Sequence, residues 1–381
     1  MLEVMKVRES VSPRLKRRGL KKRRFLIPAL CDIKGLILRT LVRSYRPFNV
    51  FHELQKKEVY PHEIEKVKVI TTAISKVFLT GKYAYKLCKP VDFGFLDFST
   101  LEQRKKACED EVSFNRIISP DLYLGVSTIN KDGEGNISID GPGEIIEYAV
   151  KMKQLDPALI MSELLKENKI TPEHTKELAV KIYQFHQRAL TDEETSSFGS
   201  VEMVQFNWDE NFKQTERYKN IVIPENNFSF MQQKINSFIA KNKELLAKRV
   251  VEGKVKHCHG DFHSGNVFIT PTEIYIFDGI VFNKRFPCSD VIAEIAFMAM
   301  DLDFHGKKEL AEVFVKEYQR LSRDEDILKL LDFYKCYRAY IRGKINCFTS
   351  EDLNLTAAEK EKTINDAKKY FELANNYAGL L

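Results

Sequence analysis

His257-Cys258-His259-Gly260-Asp261-Phe262-His263-Ser264-Gly265-Asn266-Val267-Phe268-Ile269, with Ile274-Tyr275-Ile276-Phe277-Asp278-Gly279 close behind, decides the reading of this 381-residue chain. An Asp and an Asn stand five residues apart in a Gly-containing loop. A short strand hairpin then delivers a second Asp, twelve residues after the Asn. A phosphoryl-transfer site needs three such oxygen-bearing side chains. One carboxylate accepts or orients the attacking hydroxyl, while an amide oxygen and a second carboxylate hold Mg²⁺ against the phosphates. Mg²⁺ prefers hard oxygen ligands and takes much of its shell from the phosphates, so one or two protein ligands suffice.

Upstream of this stretch the pattern is β-rich. Val67, Val69 and Ile70 lead into Thr71 to Ser75 and then Val77-Phe78-Leu79; Gly81-Lys82 makes a turn before Tyr83-Ala84-Tyr85-Lys86-Leu87. Short connections between such runs predict an antiparallel meander. A helix follows, opened by a capping box from Ser99 to Glu102 and ending before Pro120. A hairpin around Asn130 to Asn136 comes next, and Ile145 to Met152 closes the sheet. Beyond Asp156-Pro157 the pattern turns helical, over about 172–190, 226–248, 289–300, 307–322, 325–343 and 357–378. Lys86, at the end of the third strand run, is placed to meet nucleotide phosphates. Glu111, or alternatively Glu109, lies on the following helix as its carboxylate partner.

The expected class is α+β, with a small antiparallel β-sheet lobe over 47–154 and a larger helical lobe over 155–381. Hydrophobic residues at 44% and charged residues at 30% exclude a disordered chain, a collagen-like rod and a small disulfide scaffold. No apolar run approaches the roughly 18 residues a membrane span requires; Val291 to Met300 is interrupted by Glu294 and reads as a core helix. Seven cysteines, scattered and without a C-x-x-C pair, fit a reducing, cytoplasmic setting. The net charge of +6 is unevenly spread. Residues 1–46 hold fourteen Lys and Arg against three acids, a net of +11, leaving 46 basic against 51 acidic residues, a net of −5, over the rest. The basic segment reads as a solvated, flexible arm or a start placed too far upstream. Its alternative readings are a weak contact with an anionic surface, nucleic acid or membrane, and a targeting segment.

His259-Gly260-Asp261-x-His263-x-Gly265-Asn266 resembles the catalytic-loop motif of the aminoglycoside phosphotransferase family, within the protein-kinase-like superfamily. The finer resemblance is to a bacterial branch often fused to a P-loop ATP-binding domain. It is carried by Val77-Phe78-Leu79-Thr80-Gly81-x-Tyr83-Ala84-Tyr85-Lys86, by Lys89 to Leu101, by Glu147 to Met152 and by Ala296 to Phe304. It covers about 47–380; no G-x-x-x-x-G-K-[ST] motif occurs, so the P-loop partner is not expected within this chain. The resemblance implies a two-lobed protein-kinase-like fold and transfer of the γ-phosphoryl of ATP to a small-molecule hydroxyl. It implies Asp261 as catalytic base, Asn266 and Asp278 as Mg²⁺ ligands, and Lys86 with Glu111 as the phosphate-binding pair. Ile74-Ser75-Lys76 would cover the phosphates, Met152, Lys153, Gln154 and Leu155 would form the hinge against adenine, and Asp290 would brace the catalytic loop. Two departures stand out. The phosphate loop lacks G-x-G-x-x-G, and Val281 occupies a position where relatives tend to carry a Glu.

Rival readings attach to the same residues. His257, His259 and His263 are close enough in sequence for a zinc site. A catalytically weak nucleotide-binding scaffold, docked through its basic arm, is the alternative to an enzyme. Arg338 and Arg342 share a helix face and would either draw an anionic substrate or pair with neighbouring acids. His186 reads as a packed helix residue, and Trp208 lies near an expected helix start.

Overall fold

The computed structural model describes residues 50–381 apart from 95 and 354. The basic segment 1–46 lies outside the described residues.

Six strands form one antiparallel sheet in the order β1-β2-β3-β6-β4-β5: β1 (Lys68–Thr71), β2 (Ser75–Leu79), β3 (Tyr83–Cys88), β4 (Tyr123–Lys131), β5 (Ile137–Ile139) and β6 (Glu144–Lys153). The first three make the expected meander. β6 does not close an edge; it inserts between β3 and β4, pairing Lys86 with Val150 on one side and Tyr123 with Met152 on the other. That insertion puts the Lys86 strand in the sheet interior. Alternate residues of β3 (Tyr85 and Leu87) pack with Phe78, Ile129 and Ala149 in a small core.

Between β3 and β4 runs α1 (Leu101–Ile118). Its N-cap is Thr100, which accepts from the Gln103 amide at 3.2 Å while Gln103 Oε1 accepts from the Thr100 amide at 2.9 Å. The expected box from Ser99 is displaced by one residue, because the Ser99 amide donates to Asp97 Oδ1 instead. Arg104 fastens α1 to the sheet, reaching both Glu147 oxygens at 2.8–2.9 Å with both side chains buried.

The helical lobe contains α2 (Pro172–Arg188), α3 (Val201–Thr215), α4 (Glu225–Lys241), α5 (Lys243–Val251), α6 (Val291–Phe304), α7 (Lys308–Ser322), α8 (Ile327–Thr349) and α9 (Ala357–Gly379). The long helix expected over 226–248 breaks at Asn242, which ends α4 and precedes α5. Trp208 is mid-helix in α3 rather than near a start, fully buried against Phe212, Tyr337 and Tyr340. α6 is the axis of this lobe, with every residue from Val291 to Leu302 buried. Among helices of the described residues, none is long and apolar enough to cross a membrane. The six described cysteines are free and buried.

Two small hairpins carry the informative stretch. β7 (Val255–His257) pairs with β10 (Cys288–Asp290), and β8 (Val267–Ile269) pairs with β9 (Ile274–Ile276). The result is the two-lobed α+β arrangement expected from the sequence: an antiparallel sheet with one helix, followed by a helical lobe holding the loop.

Candidate active site

The site is assembled where β3 and α1 of the small lobe face the loop segments of the helical lobe. Lys86 on β3 donates to Glu111 Oε1 at 2.9 Å and to Asp278 Oδ1 at 2.6 Å. The Lys86 and Glu111 side chains are 16% and 9% exposed, so both charges sit largely out of water. Burial works against the Lys86 ammonium, yet the Asp278 and Glu111 carboxylates outweigh it and hold its pKa well above the usual lysine value. Lys86 therefore stays charged. Glu109, the alternative partner, is on the exposed side of α1, 3.8 Å from Lys105.

Asp278 has φ +64, a left-handed conformation that non-glycine residues adopt at a cost. Several contacts hold it there. Its amide donates to the buried Tyr123 hydroxyl at 3.0 Å, and the next amide, of Gly279, donates to Asn115 Oδ1 at 2.9 Å. A Cβ on Gly279 would meet the Phe114 ring at 2.5 Å, so this position requires glycine for close approach to α1. Burial raises the Tyr123 pKa well above its usual value, with Glu111 adding to it, which keeps the hydroxyl protonated.

The catalytic-loop segment folds on itself. Asn266 Nδ2 donates to the Asp261 carbonyl at 2.9 Å and to Asp261 Oδ2 at 3.0 Å, committing the amide nitrogen and leaving Oδ1 as its outward oxygen. His263 Nδ1 accepts from the Gly265 amide at 3.1 Å, and its Nε2 lies 3.6 Å from Asp261 Oδ2. Gly260 takes φ +84 with the Pro287 backbone 3.0 Å from where a Cβ would be. His259 is fully buried, and burial lowers its pKa. Its neutral ring donates from Nε2 to the Phe277 carbonyl at 2.9 Å, joining the loop to the Asp278 segment.

The brace of this loop differs from the expectation. Asp290 does not touch it; Asp290 pairs with buried Arg249, which also reaches both Asp324 oxygens at 3.0 Å. Glu294 is the brace. Fully buried on α6, it accepts from the His259 amide and, at 3.0 Å, from the Gly260 amide. Asp301, two turns on, accepts from the Ser264 amide at 2.9 Å. Arg338 donates to the Gly260 carbonyl.

Ser75 is also placed differently. It opens β2 rather than sitting in a loop, and is 2% exposed. Its amide and hydroxyl are both engaged by Thr72 Oγ1, at 3.0 and 2.9 Å. The turn over the site is thus Thr72 to Ile74. A cavity of about 50 Å³ joins this turn to Lys86, Glu111 and Asp278-Gly279. A wider open depression, about 680 Å³, is lined by Lys57, Glu58 and His62 to Glu65 and holds none of these groups.

Met152 and Lys153 end β6, and Gln154 and Leu155 follow. The Lys153 amide donates to the Leu122 carbonyl at 2.9 Å and the Gln154 amide to the Lys82 carbonyl at 3.1 Å, while Gln154 Oε1 accepts from the Gly81 amide. The segment is therefore pinned to both neighbouring strand connections. His257, His259 and His263 do not gather as metal ligands. The buried group that does lie together is His186, Cys258 and Glu294. There His186 is packed as expected, its Nδ1 2.7 Å from the Tyr318 hydroxyl, and the Glu294 oxygens are already engaged by the loop amides.

No family model matches the sequence. The chain is similar to uncharacterized proteins of Mycobacterium bovis and Mycobacterium tuberculosis, at 28% identity over 281 residues, or 74% of this chain and 55% of each relative. It thus spans about half the length of the curated relatives it matches. Among solved structures it is similar to a choline/ethanolamine kinase family protein from Mesorhizobium loti, with a TM-score of 0.49 and 11% identity over 87% of this chain and 99% of that one. It is also similar to an aminoglycoside phosphotransferase from Alicyclobacillus acidocaldarius, with a TM-score of 0.45 and 12% identity over 85% and 93% of the two chains.

Proposed function

We propose that this chain is a Mg²⁺–ATP-dependent phosphotransferase that moves the γ-phosphoryl of ATP to a hydroxyl of a small molecule. The observation that carries the reading is the chain of charge from buried Glu111 through Lys86 to the partly exposed Asp278, set beside an Asp261 tied to Asn266. A structural ion pair needs two partners; a lysine held charged between two carboxylates, one of them in a left-handed backbone next to a loop Asp, suits a polyphosphate.

The small lobe would hold the nucleotide and the helical lobe the acceptor. Lys86, steadied by Glu111, would bind phosphate oxygens in exchange for part of its contact with Asp278. Asp278 and Asn266 would hold Mg²⁺; the donor set fits, since both offer hard oxygens and the Asn266 nitrogen is already committed to Asp261. When bound, the ion would neutralise charge on the phosphates. Asp261 would accept or orient the acceptor hydroxyl, its position fixed by Asn266 and by the Glu294 brace one residue away. Most of the rate enhancement would then come from positioning and electrostatics rather than covalent chemistry. The Met152 to Leu155 segment would face adenine. Because the Lys153 and Gln154 amides are spent on the protein, the Leu155 amide is the donor left to read the base.

The test is ADP formation from Mg²⁺–ATP across a panel of hydroxyl compounds, with wild type and Asp261→Asn in parallel. Acceptor-dependent ADP release that Asp261→Asn abolishes supports the reading. Full transfer by Asp261→Asn removes the assigned role.

A further inference from the structure

Helix α8 meets the catalytic loop through two arginines one turn apart, and they are used differently. Arg338 donates from Nε to the Ala293 carbonyl at 3.0 Å and from Nη1 to the Gly260 carbonyl at 3.2 Å, with its guanidinium 4.8 Å from the Phe297 ring centre. It is a buried strut between backbone groups. Arg342 follows on the same face, about 6 Å further along the helix. Since Arg338 ends on Gly260, that step carries Arg342 toward Asp261. The charges facing it are the Asp261 and Asp301 carboxylates, and the Tyr370 ring lies 5.7 Å away. Tyr370 is fixed by stacking on Phe304 at 3.9 Å.

What sets Arg342 apart is that its hydrogen-bond partner is the neutral Tyr370 hydroxyl rather than a carboxylate. No carboxylate among the described residues comes within ion-pair distance of it, and its Nε is buried without a hydrogen bond. The residue as a whole is half-buried. His263 Nε2, 3.6 Å from Asp261 Oδ2, is buried without a hydrogen bond. A cation removed from water without a fitted anion is costly. A guanidinium fork matches a carboxylate or a phosphate, and an acceptor bearing an ammonium would bring a like charge against it.

We propose that Arg342 is an acceptor-binding residue, and that the acceptor is an alcohol carrying an anionic group, a carboxylate or a phosphate, which Arg342 takes while the hydroxyl lies at Asp261. This rests on the phosphotransferase reading and narrows it. In the transfer the acceptor oxygen forms the new O–P bond, the bond from the γ-phosphorus to ADP breaks, and the hydroxyl proton leaves toward Asp261.

The test measures binding of four hexose probes to the full chain in the presence of Mg²⁺ and a non-hydrolysable ATP analogue: gluconate, glucose 6-phosphate, glucose and glucosamine. At least one anionic probe should bind about tenfold or more tightly than glucose and glucosamine. Arg342→Gln should erase that preference, while Arg342→Lys, which keeps the charge but not the fork, should retain part of it. Whichever of gluconate and glucose 6-phosphate binds more tightly identifies the anion as carboxylate or phosphate. The proposal is overturned if glucose or glucosamine binds as well as the anionic probes. It is equally overturned if Arg342→Gln binds them undiminished, or if neither anionic probe binds wild type at about 10 mM. Failure of the nucleotide analogue to bind, with the Arg342-dependent preference intact, would count against the phosphotransferase reading alone.

Discussion

Lys86 and Asp278 stand 192 residues apart in sequence, and the lysine ammonium donates to the Asp278 carboxylate at 2.6 Å. The contact ties an interior strand of the sheet to the segment behind the catalytic loop. A nucleotide arriving between them would exchange that protein contact for phosphate and metal contacts at the same atoms. Binding of Mg²⁺–ATP should therefore stabilise the chain in a way that needs Asp278. At about a hundred times Kd the ligand adds roughly 2.7 kcal/mol, a shift of several degrees in the thermal midpoint. Asp278→Ala should show no Mg²⁺-dependent shift. Equal shifts in wild type and variant would place the nucleotide elsewhere.

Asp261 lies near Asp278, close enough to act on its charge, but shares neither Lys86 hydrogen bond, to Glu111 or to Asp278. Its ties include those to Asn266 and, at longer range, to His263, and neither of these involves Lys86 or Glu111. Asp261→Asn should leave the Mg²⁺–ATP stabilisation within about a degree of wild type. It should lower the rate of transfer by roughly 10² to 10⁴, read as a fall in kcat with little change in the KM for ATP. A matching loss of nucleotide affinity would mean that Asp261 belongs to the phosphate site instead.

Glu294 supports the loop from behind, taking two consecutive amides from a fully buried position. Removing it leaves both N–H groups without an acceptor, at about 1–3 kcal/mol each. Glu294→Ala should thus cost on the order of 3–5 kcal/mol in denaturant unfolding. Glu294→Gln keeps one acceptor oxygen and should lose less stability while still slowing transfer, because the loop backbone at Gly260 sets the position of Asp261. An unchanged kcat in the Gln variant would show that the brace is structural only.

Much of the site could be read from the sequence because its chemistry is local. Asp261, Asn266 and Asp278 fall within one loop and one hairpin, so their spacing alone suggests three oxygens around one point. Glu111 and Glu109 are two residues apart on a helix, about 200° around it, and only the packing of α1 against the sheet decides which one turns inward. The cap of α1 was ambiguous for a related reason. Ser99…Glu102 and Thr100…Gln103 both have the capping spacing, and the choice falls to Asp97, which takes the Ser99 amide. The Glu294 brace, the Tyr123 hydroxyl and the Asn115 amide oxygen had no local signal. Their partners lie 35, 155 and 164 residues away, and such contacts exist only once α1, β4 and α6 have packed. Helix α3 had no clean period in the sequence, because its buried apolar positions, Val204, Trp208 and Phe212, are interleaved with Met203 and Phe206, which are only partly buried.

Gly279 offers a steric test of the same packing. A methyl group there would come within 2.5 Å of Phe114 Cε1 and 3.1 Å of Asn115 Oδ1. Gly279→Ala should push α1 away from the Asp278 segment, costing about 1–3 kcal/mol and weakening Mg²⁺–ATP binding. Shortening the opposing ring in Gly279→Ala/Phe114→Leu should restore part of both. If the double variant is no better than the single one, the clash is not with Phe114.

The last expectation concerns pH and a lysine far from this exchange. Lys344 is 3% exposed between α8 and α3, where its ammonium donates to Asn211 Oδ1 and, at 2.8 Å, to Gln214 Oε1. Both acceptors are neutral, so burial prevails and lowers its pKa from 10.5 to about 7. Between those two values the unfolded chain binds a proton that the folded chain does not. Stability should therefore rise with pH across that window, and the contribution should be lost as pH falls toward 7. Each pH unit is worth at most about 1.4 kcal/mol. Lys344→Met fills a similar volume without a proton, so the difference in unfolding free energy between wild type and variant should slope with pH from 7.5 to 9.5. A flat difference over that range would mean that Lys344 stays protonated in the fold, held by the Asn211 and Gln214 oxygens despite its burial.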